Sequence, residues 1–440
     1  MFIPANQTHF SLTIDGFEHD FQVLAFSGEE AISKPYFFTV ELVGGQPGMD
    51  FQRLVDTEAF LAFDTRGNGV HGRIYHIQQN ADRYNLVLVP HLSYLRHGVN
   101  RRIYQRFPVP KIVALILEEH GILGDAYRLE LKASYRARDY CIQYDETDLH
   151  FIQRLCEEEG IHFHFQHSPQ GHVLVFGDDQ AVFPRIGSPA SFGQARGRGA
   201  GGSAGRSVLP AAERRYWIDR HEGQGEQPGL ASGHVVGLSG CPGLECNDLW
   251  LLTEIIHEGK QPRMPGDNAG SAAGEGGFLH GYRSRFTVLA GSTTYRPVLI
   301  HKKPQVPDQR AVVIALDEQV GLLGRPQASV KVMFPWDREG RFDDKSRCWL
   351  SGVSSWGCER TPLRAGVEVT VIFPDGDPDH PLISGCLCCR EELAPGQTPG
   401  GDEPEHAAGV SVADPGCCSQ AGQCGRGSCR SMAVRALARR

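Results

Sequence analysis

The sequence predicts a mainly β protein with a few helices, ending in a small barrel of OB type and a polar tail. Three observations carry that prediction. Glycine (52) and proline (27) are abundant in the 440 residues, which favours strands and tight turns over long helices. Residues 8–95 break into runs that alternate polar and apolar side chains, the period of a strand with one buried face. Between residues 309 and 386, five short apolar runs are separated by turns bearing Gly and Pro, the spacing of a small Greek-key barrel.

The elements follow in order. Thr8–Ile14 alternates and meets the turn Asp15-Gly16, and Phe21–Phe26, Tyr36–Val43, Gly69–Gln78 and Tyr84–Pro90 continue the pattern. Val109–Gly121 reads as a helix, with Pro110 in its first turn and Gly121 as its cap. A second helix runs over Asp148–Glu159, with Leu149, Ile152, Leu155 and Cys156 on one face and Gly160 at its end. Ile161–His167 is a period-2 strand that pairs with His172–Phe176 across Pro169-Gln-Gly171. The pattern stops near Phe192, and Gly193–Gly205 holds six glycines in thirteen residues, a linker composition. Strand-like runs return at His234–Leu238, Leu249–His257 and Phe278–Leu289. The barrel runs are Arg310–Leu316, Ala328–Phe334, Cys348–Val353, Glu368–Phe373 and Leu382–Gly385. No repeat of fixed period is present.

Charge and cysteine usage narrow the function classes. The formal charge of −8 and pI of about 6.2 give no reason to expect a dedicated binder of nucleic acid or anionic membrane. No apolar run approaches the ~18 residues of a spanning helix, and Met1–Thr8 lacks the basic start and apolar stretch of a cleaved leader. The expected location is therefore the cytoplasm, with any export independent of a signal peptide and without stable membrane insertion. Of thirteen cysteines, six lie sparsely within residues 1–385 and seven in the remaining tail. The sparse set fits reduced thiols. The tail has no aromatic residue and no strand or helix period, so it is expected to be disordered and to form no β-helix.

Several short patterns invite chemistry. Gly197-Arg-Gly199-Ala-Gly-Gly202 and Gly201-Gly-Ser203-Ala-Gly205 match nucleotide-binding and hydrolase motifs by letter, but lack the strand before and helix after that those motifs need. His162 and His164 share one strand face, a spacing that suits zinc, yet the polar face of a half-buried strand explains them better. Cys386-Leu-Cys-Cys389 has no second pair at zinc-ribbon spacing. Asp375-Gly-Asp377-Pro-Asp379 opens like a calcium loop, but His380 and Cys386 stand where the turn glycine and closing glutamate belong, so a tight turn is expected. Lys331, Phe334, Trp336, Arg338, Arg341, Lys345, Arg347 and Trp349 interleave bases and aromatics, a surface an OB barrel can use for single strands. Residues 309–386 carry nine Lys/Arg against eleven Asp/Glu, which opposes that alternative. No catalytic, cofactor-binding or metal-ligating residue is assigned.

A longer correspondence covers most of residues 8–385. Tyr135–Ile161, with Tyr140-Cys-Ile-Gln-Tyr144-Asp-Glu-Thr-Asp148 at its centre, resembles the VgrG family, the spike of the bacterial type VI secretion system. Ser93–Gly121, Asn247–Glu254 with His257–Lys260, Val330–Gly340, Asp343–Trp349, Ser354-Ser-Trp356 and Gly376–Leu382 agree in the same order. The resemblance implies two hub-like β-barrel domains of contractile-phage type, then an OB-fold, then a β-helical needle. It further implies a homotrimer seated on the Hcp tube, with baseplate components and effector or adaptor proteins as partners and no enzymatic role. The expected divisions are a hub-like region over 1–192, an irregular linker over 193–215, the remaining hub over 216–304, the OB barrel over 305–386 and the tail over 387–440. The sequence departs from the family in the linker, around Gly357–Arg364, and after Gly385. An incomplete or frameshifted spike copy is therefore expected, with no needle to seat a PAAR-type tip.

Overall fold

A computed structural model describes residues 10–18, 20–44, 51–80, 83–187, 190–191, 220–239, 249–261, 278, 280–320, 326–336, 348–351 and 364–386. The Gly-rich linker, the residues around 357–363 and the tail from 387 onward lie outside the described residues, as do the two Gly-rich letter patterns.

The chain divides into two compact units. The larger comprises 1–98, 108–136 and 147–302, and the smaller 99–107, 137–146 and 303–440. The larger unit is built on an eleven-stranded sheet. Its first half zips Ser11–Ile14, Glu58–Ala62, Gly69–Asn80, Arg83–Val89, Lys34–Val43 and Gln22–Ala31 side by side. The twelve-residue strand Leu249–Lys260 then pairs antiparallel with Gln22–Ala31, setting Ile255 opposite Glu30 and His257 opposite Gly28. Its other partners are Val235–Ser239 and Gly281–Ala290. The hub-like stretches on either side of the linker therefore share one sheet. That strand is long enough, and apolar enough along its buried positions, to pair with several neighbours.

The two predicted helices form where their caps place them. Helix α1 spans Val109–Glu119 behind Pro108, with Pro110 in its first turn, and buries Val109, Ile112, Val113, Ile116 and Leu117. Helix α2 spans Asp148–Glu159. The Thr147 hydroxyl accepts the His150 N–H, and Gly160 ends the helix at φ 72°, where a side chain would be strained. His162–Ser168 and Gly171–Gly177 form the expected hairpin, extended by a parallel strand Tyr127–Glu130.

The smaller unit holds five strands, Gln309–Val320, Pro326–Met333, Cys348–Ser351, Glu368–Ile372 and Leu382–Cys386. Numbered from one to five, their order in the sheet is 3-2-1-4-5. That is the circular order of an OB barrel opened between its third and fifth strands. Two more strands, Val99–Tyr104 and Cys141–Thr147, pair with each other as a ribbon. The ribbon belongs with the barrel: Tyr140, Ile142 and Tyr144 share one buried cluster with Val306, Val313, Val332, Phe334, Leu350, Val371 and Ile383. Burial of such side chains contributes ~1.5–3 kcal/mol each, so the barrel core draws on chain about 160 residues upstream.

Candidate functional site: two carboxylate clasps

Near the last passage of the chain from the larger unit into the smaller, at residues 302 and 303, each unit fastens the chain with a buried carboxylate. In the larger unit the carboxylate is Glu157, in the last turn of α2. Its Oε2 accepts the backbone N–H groups of Ile300 and His301 at 2.9 Å each, and its Oε1 lies 2.7 Å from His301 Nδ1. The His150 ring meets His301 edge-on at 4.9 Å. A buried carboxylate with two or three charge-assisted bonds is satisfied, and it serves two amide groups that a neighbouring strand would otherwise serve.

In the smaller unit the clasp is the segment that opens like a calcium loop. Pro374–Gly376 is a single 3-10 turn between Glu368–Ile372 and Leu382–Cys386, as its sequence predicts. Asp377 and Asp379 already have partners. Asp379 Oδ2 lies 2.8 Å from Lys303 Nζ and 3.9 Å from Arg138 Nη1, while Asp379 Oδ1 accepts the Ile142 N–H at 3.1 Å. Asp377 Oδ1 accepts the Asp379 N–H at 3.0 Å and approaches Lys303 Nζ at 3.4 Å. Burial pushes the Asp377 carboxyl up, but that N–H and the Lys303 ammonium outweigh it and hold the group below its usual range. Gly376 sits at φ 71°, a conformation that favours glycine. The sequence segments Tyr135–Ile161 and Gly376–Leu382 thus meet through Arg138, Ile142 and Asp379.

The larger unit also carries titratable groups inside its core. Glu30 Oε1 lies 2.9 Å from His257 Nε2, and His257 Nδ1 lies 2.6 Å from the Tyr282 hydroxyl. Burial pushes the Glu30 carboxyl up, but His257 brings it below its ordinary value. His162 and His164 are buried rather than on a half-exposed face, because Phe183 covers them with ring contacts at 4.4 and 5.3 Å. Burial pushes their pKa values down to about 4 and about 3. Among the described residues no group of three His, Cys, Asp or Glu side chains is arranged to hold a metal ion. A cavity of about 330 Å³ opens beside His71, His91 and His172. At its wall His71 Nδ1 faces His172 Nδ1 at 3.1 Å, and Arg73 bonds Glu58 at 3.1 Å. Burial lowers the pKa of all three imidazoles, leaving them neutral hydrogen-bonding groups at neutral pH.

Of the interleaved barrel residues, the structure describes the side chains of Lys331, Phe334 and Trp336. Phe334 is 1% exposed, and Trp336 stacks on it at 5.0 Å while meeting Tyr144 edge-on at 6.0 Å. Lys331 is buried as well. Val330, Val332 and Phe334 alternate into the barrel core and Trp336 packs against it, so these two aromatics are committed to the barrel interior. Arg338, Arg341, Lys345 and Arg347, the side chain of Trp349, and the cysteines at 386–389 lie outside what is described. The sequence reading did not single out Glu157, Lys303, Arg138, Glu30 or His257 as site residues. Each pairs with a residue at least 74 positions away, and the one available signal was a carboxylate at an otherwise apolar position.

Known proteins place this architecture. The profile of the phage tail baseplate hub family (GPD) matches residues 29–216. The type VI secretion system spike proteins VgrG4b and VgrG5 of Pseudomonas aeruginosa are 43% and 40% identical over 91% of this chain, which spans 58% and 60% of their lengths. The actin cross-linking toxin VgrG1 of Vibrio cholerae is 26% identical over 86% of the chain and 41% of its own length. The fold matches the Escherichia coli c3393 protein, described as a type VI secretion component similar to the T4 tail proteins gp27 and gp5. The TM-score is 0.66 at 23% identity, covering 86% of this chain and 99% of that one. A Francisella PdpA–VgrG complex matches at a TM-score of 0.51 and 7% identity, over 90% and 79%. The chain spans about three-fifths of the length of the curated relatives it matches best among these, and it belongs to the VgrG family of type VI secretion spike proteins.

Proposed function

We propose that this chain is a structural subunit of a type VI secretion spike, working as a homotrimer on the Hcp tube and carrying effector or adaptor proteins with it. The observation that supports this best is the pairing of a hub-type sheet with an OB-type barrel in a chain 43% identical to a spike protein over 91% of its length. The clasps fit a mechanical part. They hold backbone with buried carboxylates, and none of their groups is left over for chemistry. On this reading the chain needs no catalytic site, because contraction of a sheath supplies the work. It waits in the cytoplasm and leaves through the secretion apparatus. Among the described residues no helix is long and apolar enough to cross a membrane. Size-exclusion chromatography with light scattering tests the reading. The expected mass is three times 48.4 kDa, with co-elution of added Hcp; a folded monomer at micromolar concentration that ignores Hcp overturns it.

A further inference from the structure

The cavity of about 330 Å³ in the larger unit plays no part in either clasp. Its floor is apolar, formed by the buried Leu92, Ile122, Phe165 and Leu174. On its polar wall Glu58 and Arg73 sit opposite each other in the ladder, and their ion pair at 3.1 Å offsets both charges. His71 shares a strand with Arg73, and its Nε2 lies 3.8 Å from Glu58 Oε2. The anion draws the proton of the neutral ring onto Nε2 and leaves Nδ1 as an acceptor. That Nδ1 lies 3.1 Å from His172 Nδ1, which assigns the His172 proton to Nδ1. The ring centroids are 5.4 Å apart, so this bond runs along the line joining the two rings. His172 Nε2 is then a bare acceptor to which no described residue donates. One more charge lines the cavity. Asp125 is exposed at the rim, in the turn Gly124–Ala126, and has no partner among the described residues.

We propose that this cavity binds a primary alkylammonium ion, its stem on the apolar floor and its ammonium donating to His172 Nε2 near the charge of Asp125. The match is one of donors to acceptors. An ammonium has three donors and no acceptor, and the wall offers it a bare imidazole nitrogen and an unpaired carboxylate. An anion finds no free cation, because Arg73 is the one Lys or Arg of the lining and is bound to Glu58. A neutral alcohol can use the acceptor but gains nothing from the charge. Burial keeps His71 and His172 neutral near pH 7, so they do not repel the ligand. An apolar floor with a few convergent polar groups is the usual build of a small-ligand site. Two sources carry the group, a free amine and the lysine side chain of a protein that docks on the larger unit. The site is independent of how many copies of the chain assemble.

Titration calorimetry of the full chain at pH 7.5 tests the site with n-butylammonium, 1-butanol and butyrate. Butylammonium should bind with a Kd on the order of 1–10 mM, as so small a ligand allows, and the other two about fivefold more weakly or not at all. Asp125→Asn, at an exposed position that leaves the fold intact, should weaken butylammonium about fivefold and leave butanol unchanged. His172→Phe keeps a ring but removes the acceptor, and should abolish the preference for ammonium over alcohol. Histidine labelled with 15N should show His172 Nε2 unprotonated in the free chain, with its resonance moving as butylammonium is added. Equal affinity for the three probes, full affinity in Asp125→Asn, or a His172 proton on Nε2 overturns the site. Nα-acetyl-lysine methylamide separates the two sources. Tighter binding than butylammonium supports the site as a socket for a protein's lysine, and weaker binding supports it as a site for a free amine.

Discussion

The two units solve the same problem with different interiors. All of the nineteen histidines except His380 and His406 fall in the segments of the larger unit. Its core buries His162, His164 and His257 together with Glu30, Arg154 and Glu157. The described part of the smaller unit buries no histidine; its core runs from Tyr140 and Ile142 to Val332, Phe334 and Ile383, with Gln143, Glu146 and Lys331 as its buried polar side chains. An aliphatic core depends little on solution conditions, whereas burial of His162, His164 and His167 favours their neutral form and ties the larger unit to pH. The hub and the barrel should therefore fail under different stresses.

Acid gives the largest expected separation. The folded-state values of His162, His164 and His167 sit near 4, 3 and 4, below the ~6.5 of an unfolded chain. The unfolded state thus binds more protons across that interval. The stability these groups allow is complete above pH ~6.5 and is lost as pH falls through ~4, at ~1.4 kcal/mol per pH unit for each group. The lowered barrel carboxylates, Asp145 and Asp377, lose their contribution only below their ordinary value of ~3.9. Hydrogen exchange resolved by peptide, from pH 7.5 to pH 4, should show the larger unit opening while 309–313 and 368–372 stay protected. Simultaneous opening would erase the comparison.

A substitution sharpens it at constant pH. His257→Ala leaves the Glu30 carboxylate buried without its partner, which costs ~3–5 kcal/mol, and thermal unfolding should show the loss in the larger unit's transition. Adding Glu30→Leu should restore a good part of it. If the double variant is no better than the single one, the pair matters by packing and not by charge. The smallest effect belongs to the barrel clasp. Asp379→Asn keeps the shape but weakens the bonds to Lys303 and Arg138, and should cost about 1–2 kcal/mol, read as a lower denaturant midpoint for the barrel alone.

Much of this fold is legible in the sequence where local signals are strong. Helix α2 begins and ends as Thr147 and Gly160 dictate, and the five barrel strands fall within a few residues of their apolar runs. The ribbon Val99–Tyr104 with Cys141–Thr147 is not legible. Asn100-Arg-Arg shows no alternation, and its apolar partners come from residues beyond 303. The burial of His162 and His164 is hidden for a similar reason. A polar alternation reads as a solvent face until something covers it, and Phe183 and Tyr295 arrive from outside the hairpin. The clasps escape notice because an acidic residue carries no mark of a distant partner.

The chain passes between the two units five times, at 98, 107, 136, 146 and 302. This bears on what recombination can exchange. A crossover that transplants residues 303–386 alone delivers a barrel without Tyr140, Ile142 and Tyr144 in its core and without Arg138 beside Asp379. A viable graft must carry three separate stretches of gene, or come from a donor whose ribbon already matches. Exchange should therefore be easiest outside these bounds and rarest within them, so that hub and barrel are inherited as one part.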